Sequence, residues 1–407
     1  MKWFVYAWRN VARNRRRTVL SAAIVACGSM ALLLSIGFVL ASFHGLRESI
    51  ISSELGHIQI GARGQFEGNE EKPLQYGLSP QQVKAVESNL QQESGLRFST
   101  RRILFEGLLS TGRRSVAFVG QGVESEKESR LSTMFAPIIS GNGLSDDPSR
   151  PEQILIAVDL AHSLQVKPGD TITVMVTTED GVLNAADAVV AGTYRTGVPD
   201  LDRRAIMMPL QNVQSLLVTQ KISRLVLALR DTDATDALAS RLRAQLPALD
   251  IKRWIELAPF YNQVVSLYRI IFTVLGIIIA IVVFISTANS MLMSVMERIR
   301  EVGTLRAIGI PDRRIQQTFL LEGGMIGMLG GSVGLVLALL TALVVNLSDI
   351  RMPPPPGRTT DYPLIISMQV DTSLMIWLVF ILLSALAAWA PHRVTRRLSI
   401  IEKLNHV

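Results

Sequence analysis

The sequence holds one cysteine, Cys27, in 407 residues, so no disulfide can form within the chain and burial of apolar surface has to hold it together. It also lacks the phosphate-binding pattern G-x-x-x-x-G-K-[ST]; no glycine is followed by a lysine anywhere in it, which excludes nucleotide binding through that loop. Histidine is sparse. His44, His57, His162, His392 and His406 are scattered without ligand spacing, so neither a metal centre nor a histidine general base is expected. The most informative absence is that of charge. Residues 18–43, 270–296, 323–348 and 372–391 contain no Asp, Glu, Lys or Arg. A helix needs about 20 apolar residues to cross a hydrocarbon core, and a charge at its centre costs at least ~2.5–3.5 kcal/mol. Four such runs in a chain of 48% apolar residues describe four transmembrane helices, not a soluble protein.

The net charge of +7 looks at first like a nucleic-acid signal, but its placement argues otherwise. Lys2, Arg9, Arg13, Arg15, Arg16 and Arg17 precede the first run. Arg298, Arg300, Arg306, Arg313 and Arg314 fall between the second and third, and Arg393, Arg396, Arg397 and Lys403 follow the fourth. Those 15 basic residues stand against four acidic ones, Glu297, Glu301, Asp312 and Glu402, whereas residues 44–269 hold 24 Lys and Arg against 26 Asp and Glu. Basic segments flanking spans stay in the cytoplasm. Both termini and the 297–314 loop are therefore expected inside, and residues 44–269 with the 349–371 loop outside. The basic balance reports topology; no nucleic-acid partner is expected.

The chain then divides into an interfacial helix (1–17), a first span (18–43), an external domain (44–265), a second span (266–296), a cytoplasmic elbow (297–317), a third span (318–348), an external proline-rich loop (349–371), a fourth span (372–391) and a cytoplasmic tail (392–407). In the first segment Trp3, Phe4, Ala7, Trp8 and Val11 share a helical face, with Lys2, Arg9, Arg13 and Arg16 largely opposite. Trp3, Phe4 and Trp8 suit anchors at headgroup depth, a plain extension of the first span being the alternative. Ile24-Val25-Ala26-Cys27 resembles a lipidation box, but the apolar run continues to Phe43, well past the about 7–15 residues of a signal peptide's core. A packed, inert Cys27 is expected.

Within the external domain, 153–158, 171–176, 189–193 and 225–229 read as strands, with the turn Lys167-Pro168-Gly169-Asp170 before the second. Residues 236–246 read as an amphipathic helix, and 79–90 as another, with Ser79 as N-cap and Pro80 in the first helical position. Gln59–Glu70 and Ser140–Pro151 read as loops, and Asp200-Leu201-Asp202 as a turn rather than a cation site. The whole is mixed α+β, open to division into two subdomains. Four consecutive prolines, Pro353 to Pro356, impose a stiff extended segment that serves as a connector or as a rim contact for a substrate or partner.

The stretch from Met293 to Gly309 reads as the second span running on into a charged helix, capped by Gly309, with Pro311 starting the next. On physical grounds it is either a rigid elbow that passes motion into the membrane or a solvated loop made basic by topology. Gly323, Gly327 and Gly331, with Gly330 and Gly334, fall at the small-residue spacing that lets helices approach closely, within the chain or across a dimer. Glu322 opens the third span; an elbow arginine is its expected partner, a proton relay the alternative.

Met296-Glu297-Arg298-Ile299-Arg300-Glu301-Val302-Gly303-Thr304-Leu305-Arg306-Ala307-Ile308-Gly309 resembles the signature of the FtsX-like ABC-transporter permeases, a group that includes the macrolide exporter MacB and the lipoprotein-releasing subunits LolC and LolE. Leu321-Glu322-Gly323-Gly324 is similar to the start of that family's third span, residues 161–170 with Met208-Pro209-Leu210 to the MacB-type external core, and 391–404 to the tail. The missing phosphate loop and four spans match the layout of LolC and LolE; MacB carries a fused ATPase, and FtsX a much smaller external domain.

The resemblance implies a membrane α-helical protein with a mixed α+β periplasmic domain between its first and second spans, in a bacterial inner membrane. Glu297, Arg298, Arg300, Glu301, Gly303, Thr304, Arg306 and Gly309 would form a coupling helix. Two copies of a separate ATPase subunit, which bind ATP and Mg, would dock there. A second permease copy, identical or related, membrane lipid, and a periplasmic carrier or adaptor complete the implied partners. The chain itself would bind no cofactor and catalyse nothing alone. Lipoprotein or lipid transfer by mechanotransmission leads; export of a small molecule or peptide, and FtsX-like signalling to a periplasmic enzyme, are the alternatives.

Overall fold

The computed structural model describes residues 13, 15–66, 76–91, 93–132, 137–147, 152–353 and 361–389. Trp3, Phe4 and Trp8, most of the proline run and the tail 392–407 lie outside them. In chain order the elements are α1 (Arg15–Ile50), β1 (Ile58–Ala62), α2 (Pro80–Leu90), β2 (Leu96–Ser110), β3 (Ser115–Val123), α3 (Ser125–Ser132), β4 (Ile138–Gly141), β5 (Gln153–Ala157), α4 (Val158–Leu164), β6 (Thr171–Thr177) and β7 (Leu183–Tyr194). There follow α5 (Pro199–Asp202), β8 (Ala205–Pro209), α6 (Leu210–Leu217), β9 (Arg224–Leu229), α7 (Thr235–Gln245), β10 (Leu249–Arg253), α8 (Trp254–Leu257), α9 (Pro259–Glu297), α10 (Ile299–Ala307), α11 (Asp312–Leu347) and α12 (Val370–Ala387). Most of α1 with α9 to α12 makes one compact unit, and the elements between α1 and α9 make the other.

In the extramembrane unit the pairings β2–β3, β3–β8, β8–β5, β5–β7, β7–β6 and β6–β2 follow one another, so six strands close into a ring. β2 is the branch point. Its first half, Leu96–Arg102, pairs with β9, which leads on to β1 and β10, and its end, Gly107–Ser110, pairs with β6. Strand β6 shows why the ring forms: Ile172, Val174 and Val176 are buried at every second position while Thr171 and Thr177 are exposed. These side chains join Ile60, Ile103, Leu109, Ile154, Met208, Leu227 and Leu242 in one core, so the two subdomains open to the sequence are regions of one sheet. Helix α2 starts with a capping box: Ser79 Oγ accepts from the Gln82 amide at 3.3 Å, and Gln82 Oε1 accepts from the Ser79 amide at 2.9 Å. Helix α3 is fastened to β2 by a buried pair in which Arg102 donates to both Glu128 oxygens, at 2.6 and 3.0 Å.

The sequence-based loops are only partly loops. Gln59 to Ala62 lie in β1, since Ile58 and Ile60 are core residues on one side of it; Ser140 and Gly141 lie in β4. Asp200 to Asp202 belong to the short α5, where buried Asp202 accepts through Oδ1 from the Thr196 amide and hydroxyl at 2.6 and 2.7 Å. Where α1 ends, a π-helical turn (Ile51–Leu55) leads to Gly56, whose φ of +62° and approach to Val226 leave no room for a side chain. His57 follows, buried. Its Nδ1 accepts from the Leu229 amide at 3.1 Å, so the ring proton sits on Nε2, 3.1 Å from Thr232 Oγ1, which donates to Glu48 at 3.1 Å. Burial lowers the His57 pKa, with Glu48 and Asp231 opposing and Arg47 reinforcing the shift.

In the other unit α1, α9, α11 and α12 are the four helices long and apolar enough to cross a membrane. They overrun the charge-free runs: α1 continues to Ile50, α9 begins at Pro259 and α11 at Asp312, while α12 stops at Ala387. The glycines of α11 divide between two partners. A Cβ on Gly323 would lie 2.6 Å from the Ser384 carbonyl and one on Gly327 2.9 Å from that of Phe380, both on α12, while Gly331 faces Trp377. Gly330 and Gly334 turn to α1 instead, where a Cβ would meet Val25 at 2.7 Å and Ser29 Oγ at 1.9 Å. Cys27 is not packed: it lies on the exposed side of α1, because Val25, Ala26 and Ser29 are the residues that turn inward.

Candidate functional site

The second span does not run on into the elbow. Helix α9 stops at Glu297, and Arg298, at φ −109° and ψ 20°, breaks the helix before α10 begins. The break is paid for by a buried ion pair. The Arg298 guanidinium donates to Glu322 at 3.0 and 3.3 Å and to Ser294 Oγ at 2.6 Å, with the Arg and Glu side chains 9% and 4% exposed. Glu322 is therefore well inside α11, paired with the elbow arginine expected for it. At the other end of α10, Gly309 takes φ +91° and its amide returns to the Arg306 carbonyl at 3.0 Å, while Pro311 caps α11 in extended conformation. Arg306 is bound by Asp312 across this turn.

Helix α10 has two faces. Ile299, Val302 and Gly303 point inward, and Val302 packs with Val295, Ile315 and Phe319. Burying each large aliphatic is worth roughly 1.5–3 kcal/mol, so this small core fixes α10 to the ends of α9 and α11. Arg300, Thr304, Ala307 and Ile308 lie at i, i+4, i+7 and i+8 on the opposite, exposed side, and Ile308 is 74% exposed. Two further anchors reach α1: Arg17 donates to Glu297 at 2.6 and 2.8 Å, and Arg13 to Glu301 at 3.0 Å.

Of the eight coupling residues expected from the sequence, Arg300, Thr304 and Gly309 lie on the exposed side of the elbow. Arg298 and Gly303 do not, because the ion pair and the small core take them inward. Glu297, Glu301 and Arg306 are engaged within the chain, with Arg17, Arg13 and Asp312. Ile308, Arg13 and Arg17 were missed. An aliphatic residue beside Gly309 in a charged loop is a visible signal for the first; nothing local marks the other two as partners of Glu301 and Glu297. Among the described residues no three His, Cys, Asp or Glu side chains gather as a metal site. The arrangement is a short helix with a small core on one side and an open face that carries Arg300, Thr304, Ala307 and Ile308 on the other.

Comparison with known families decides what kind of protein carries it. Residues 18–245, more than half of the chain, match the MacB-like periplasmic core domain, and residues 273–400 match the FtsX-like permease C-terminal domain. The chain belongs to the FtsX-like, MacB-type permeases of ABC transporters. As such a permease it has curated relatives. The lipoprotein-releasing system transmembrane protein LolC of Neisseria meningitidis serogroup B is 25% identical over 339 residues, 79% of this chain and 76% of that protein. LolE of Haemophilus influenzae is 22% identical over 269 residues, 63% of each. The crystal structure of the periplasmic region of MacB from Actinobacillus actinomycetemcomitans aligns over 52% of this permease and 95% of its own length, at 12% identity and a TM-score of 0.37. The second-to-third-span elbow falls inside the FtsX-like match, and the six-stranded ring inside the MacB-like one.

Proposed function

We propose that this permease is the membrane subunit of an ATP-driven mechanotransmission transporter that moves lipoprotein or lipid from the inner membrane towards the periplasm and outer membrane. The observation that carries the reading is the exposed face of α10, with Arg300, Thr304, Ala307 and Ile308 on a helix fixed to the ends of two spans. An exposed isoleucine at the end of a face that also carries an arginine and a threonine is a surface for a protein partner. That partner is a separate ATPase, since this sequence has no phosphate-binding loop; two copies would bind ATP and Mg and dock one on each of two permeases. Closure of the ATPases would displace the elbows, the spans would follow, and the extramembrane domains would move against each other. Substrate would be drawn from the outer leaflet rather than through a pore. The substrate class follows from the names of the LolC and LolE relatives, and the orientation from the basic residues of the elbow and termini.

The test is purification of the tagged permease from its native membrane. An ABC ATPase and acylated protein or lipid are expected with it, with ATP hydrolysis in the complex and none in the permease alone. Ile308→Asp and Arg300→Glu should each lower coupled hydrolysis about tenfold, the loss of roughly 1.4 kcal/mol at a docking contact, while the permease itself stays folded. Hydrolysis by the permease alone, or a peptidoglycan hydrolase in place of acylated cargo, would overturn the proposal.

A further inference from the structure

We infer that α1 receives the motion of the elbow through a two-rung charge seam, Arg13–Glu301 and Arg17–Glu297, which makes these four side chains positioning residues for the coupling proposed above, on which the inference rests. The chain offers α1 no covalent link to α10. The link it does offer, from α10 to α9, is interrupted at Arg298. The two arginines stand four residues apart on one side of the seam and the two glutamates four apart on the other, in reverse order. Glu297 ends α9 and Glu301 lies in the first turn of α10, across the break at Arg298; pairing in reverse order sets the two segments antiparallel with both rungs closed, at 3.0 Å and at 2.6 and 2.8 Å.

The rungs are exposed, with side chains 58% and 46% accessible in one and 23% and 50% in the other. Ion pairs so placed add little to fold stability. What two in-register rungs do is fix where the start of α1 stands along the α9–α10 junction. Helix α1 is suited to carry such a constraint, because it runs without proline or break from Arg15 to Ile50. Its last turn is also held: within the extramembrane unit Arg47 donates to Asp233 at 3.2 Å, and Glu48 accepts from Thr232 at 3.1 Å. A rod pinned at each end moves as a whole when one pin moves. Glu297 and Glu301 thus face α1, while Thr304 and Ile308 stay on the exposed side of α10 toward the ATPase.

Two measurements test the seam in the full-length protein. In nanodiscs without partner, nitroxides on the native Cys27 and on Ala307→Cys should give a narrow distance distribution. Glu297→Arg with Glu301→Arg should broaden it, and adding Arg13→Glu with Arg17→Glu should narrow it again. Arg13→Gln with Arg17→Gln is the milder variant; Lys2, Arg9, Arg15 and Arg16 remain to hold the orientation. In the complex with the co-purified ATPase, either double substitution should lower coupled hydrolysis about fivefold or more, with assembly and thermal midpoint unchanged, and Arg13→Lys with Arg17→Lys should retain it. An unchanged distance distribution, unchanged coupling, or failure of the charge exchange to restore both would overturn the seam. Absence of any co-purifying ATPase would instead remove the proposed function, and this role of the seam with it.

Discussion

Removing one member of the Arg298–Glu322 pair should be among the most damaging single changes in the membrane unit, and removing both should cost less than either. Arg298→Met leaves a carboxylate 4% exposed without its guanidinium, inside a helix bundle. Loss of one partner of a buried ion pair costs about 3–5 kcal/mol, because the remaining charge stays desolvated and uncompensated. Glu322→Leu should fall at the lower end of that range, since the stranded guanidinium keeps Ser294 Oγ at 2.6 Å and the Ser294 carbonyl at 3.4 Å. The double variant replaces two charges by apolar groups of similar size, a change that ranges from neutral to stabilising by ~1–4 kcal/mol. With each single change costing at least about 3 kcal/mol and the double variant near neutral, the pairwise coupling should reach roughly 6 kcal/mol. Unfolding by sodium dodecyl sulfate in mixed micelles, followed by helical circular dichroism, measures all four corners of the cycle. Additive single effects would refute the reasoning, as they would mean that the two charges do not compensate each other.

The glycines of α11 supply a paired control. Gly334→Ala places a methyl 1.9 Å from Ser29 Oγ and 2.6 Å from the Ala26 carbonyl, and should destabilise by about 1–3 kcal/mol in the same assay. Gly324→Ala, whose nearest neighbour would be 3.9 Å away, should be neutral or gain up to about 1 kcal/mol from helix propensity; equal losses at both positions would refute the assigned packing. His57 is held neutral by burial, so its folded pKa lies below the ordinary 6.5. The stability it confers is present above pH 6.5 and is lost as the pH falls through the lowered value. The protection factor of the Leu229 amide, its exchange corrected for the intrinsic rate at each pH, should fall over that acid range, and in a His57→Gln protein the fall should vanish.

The large divisions were legible because they rest on signals a sequence cannot disguise. Four charge-free runs mark four spans, Ser79-Pro80 with Gln82 marks the start of α2, and the Thr-Ile-Thr-Val-Met-Val alternation marks β6. Strand β2 was missed because Arg101, Arg102, Glu106 and Gly107 interrupt its alternation; Arg102 is buried as the partner of Glu128, which only the tertiary structure reveals. The break at Arg298 has no local mark, since Met-Glu-Arg-Ile is good helix sequence; the force that opens the helix is a carboxylate 24 residues further on. The outward Cys27 was hidden for another reason. A helix that is apolar all round gives no periodicity from which to tell its inner from its outer side.

The closed ring of strands also bears on how the molecule is made. Strand β3 waits for β8, through Val119 with Ala205, and β2 waits for β6, through Gly107 with Val176. The first strand, β1, pairs with β9 and then with the last strand, β10, where Ile58 meets Arg253. As the chain is synthesised from α1 onward, almost every hydrogen-bonded neighbour in this sheet arrives late, and long-range pairings of this kind fold slowly. The unit can complete itself only when nearly all of the segment between α1 and α9 has been made. Until then its apolar strands are unpaired and exposed to aggregation. The pairing of β1 with β10 brings the entry and exit of the segment side by side, so a domain of this size can be inserted between two consecutive spans.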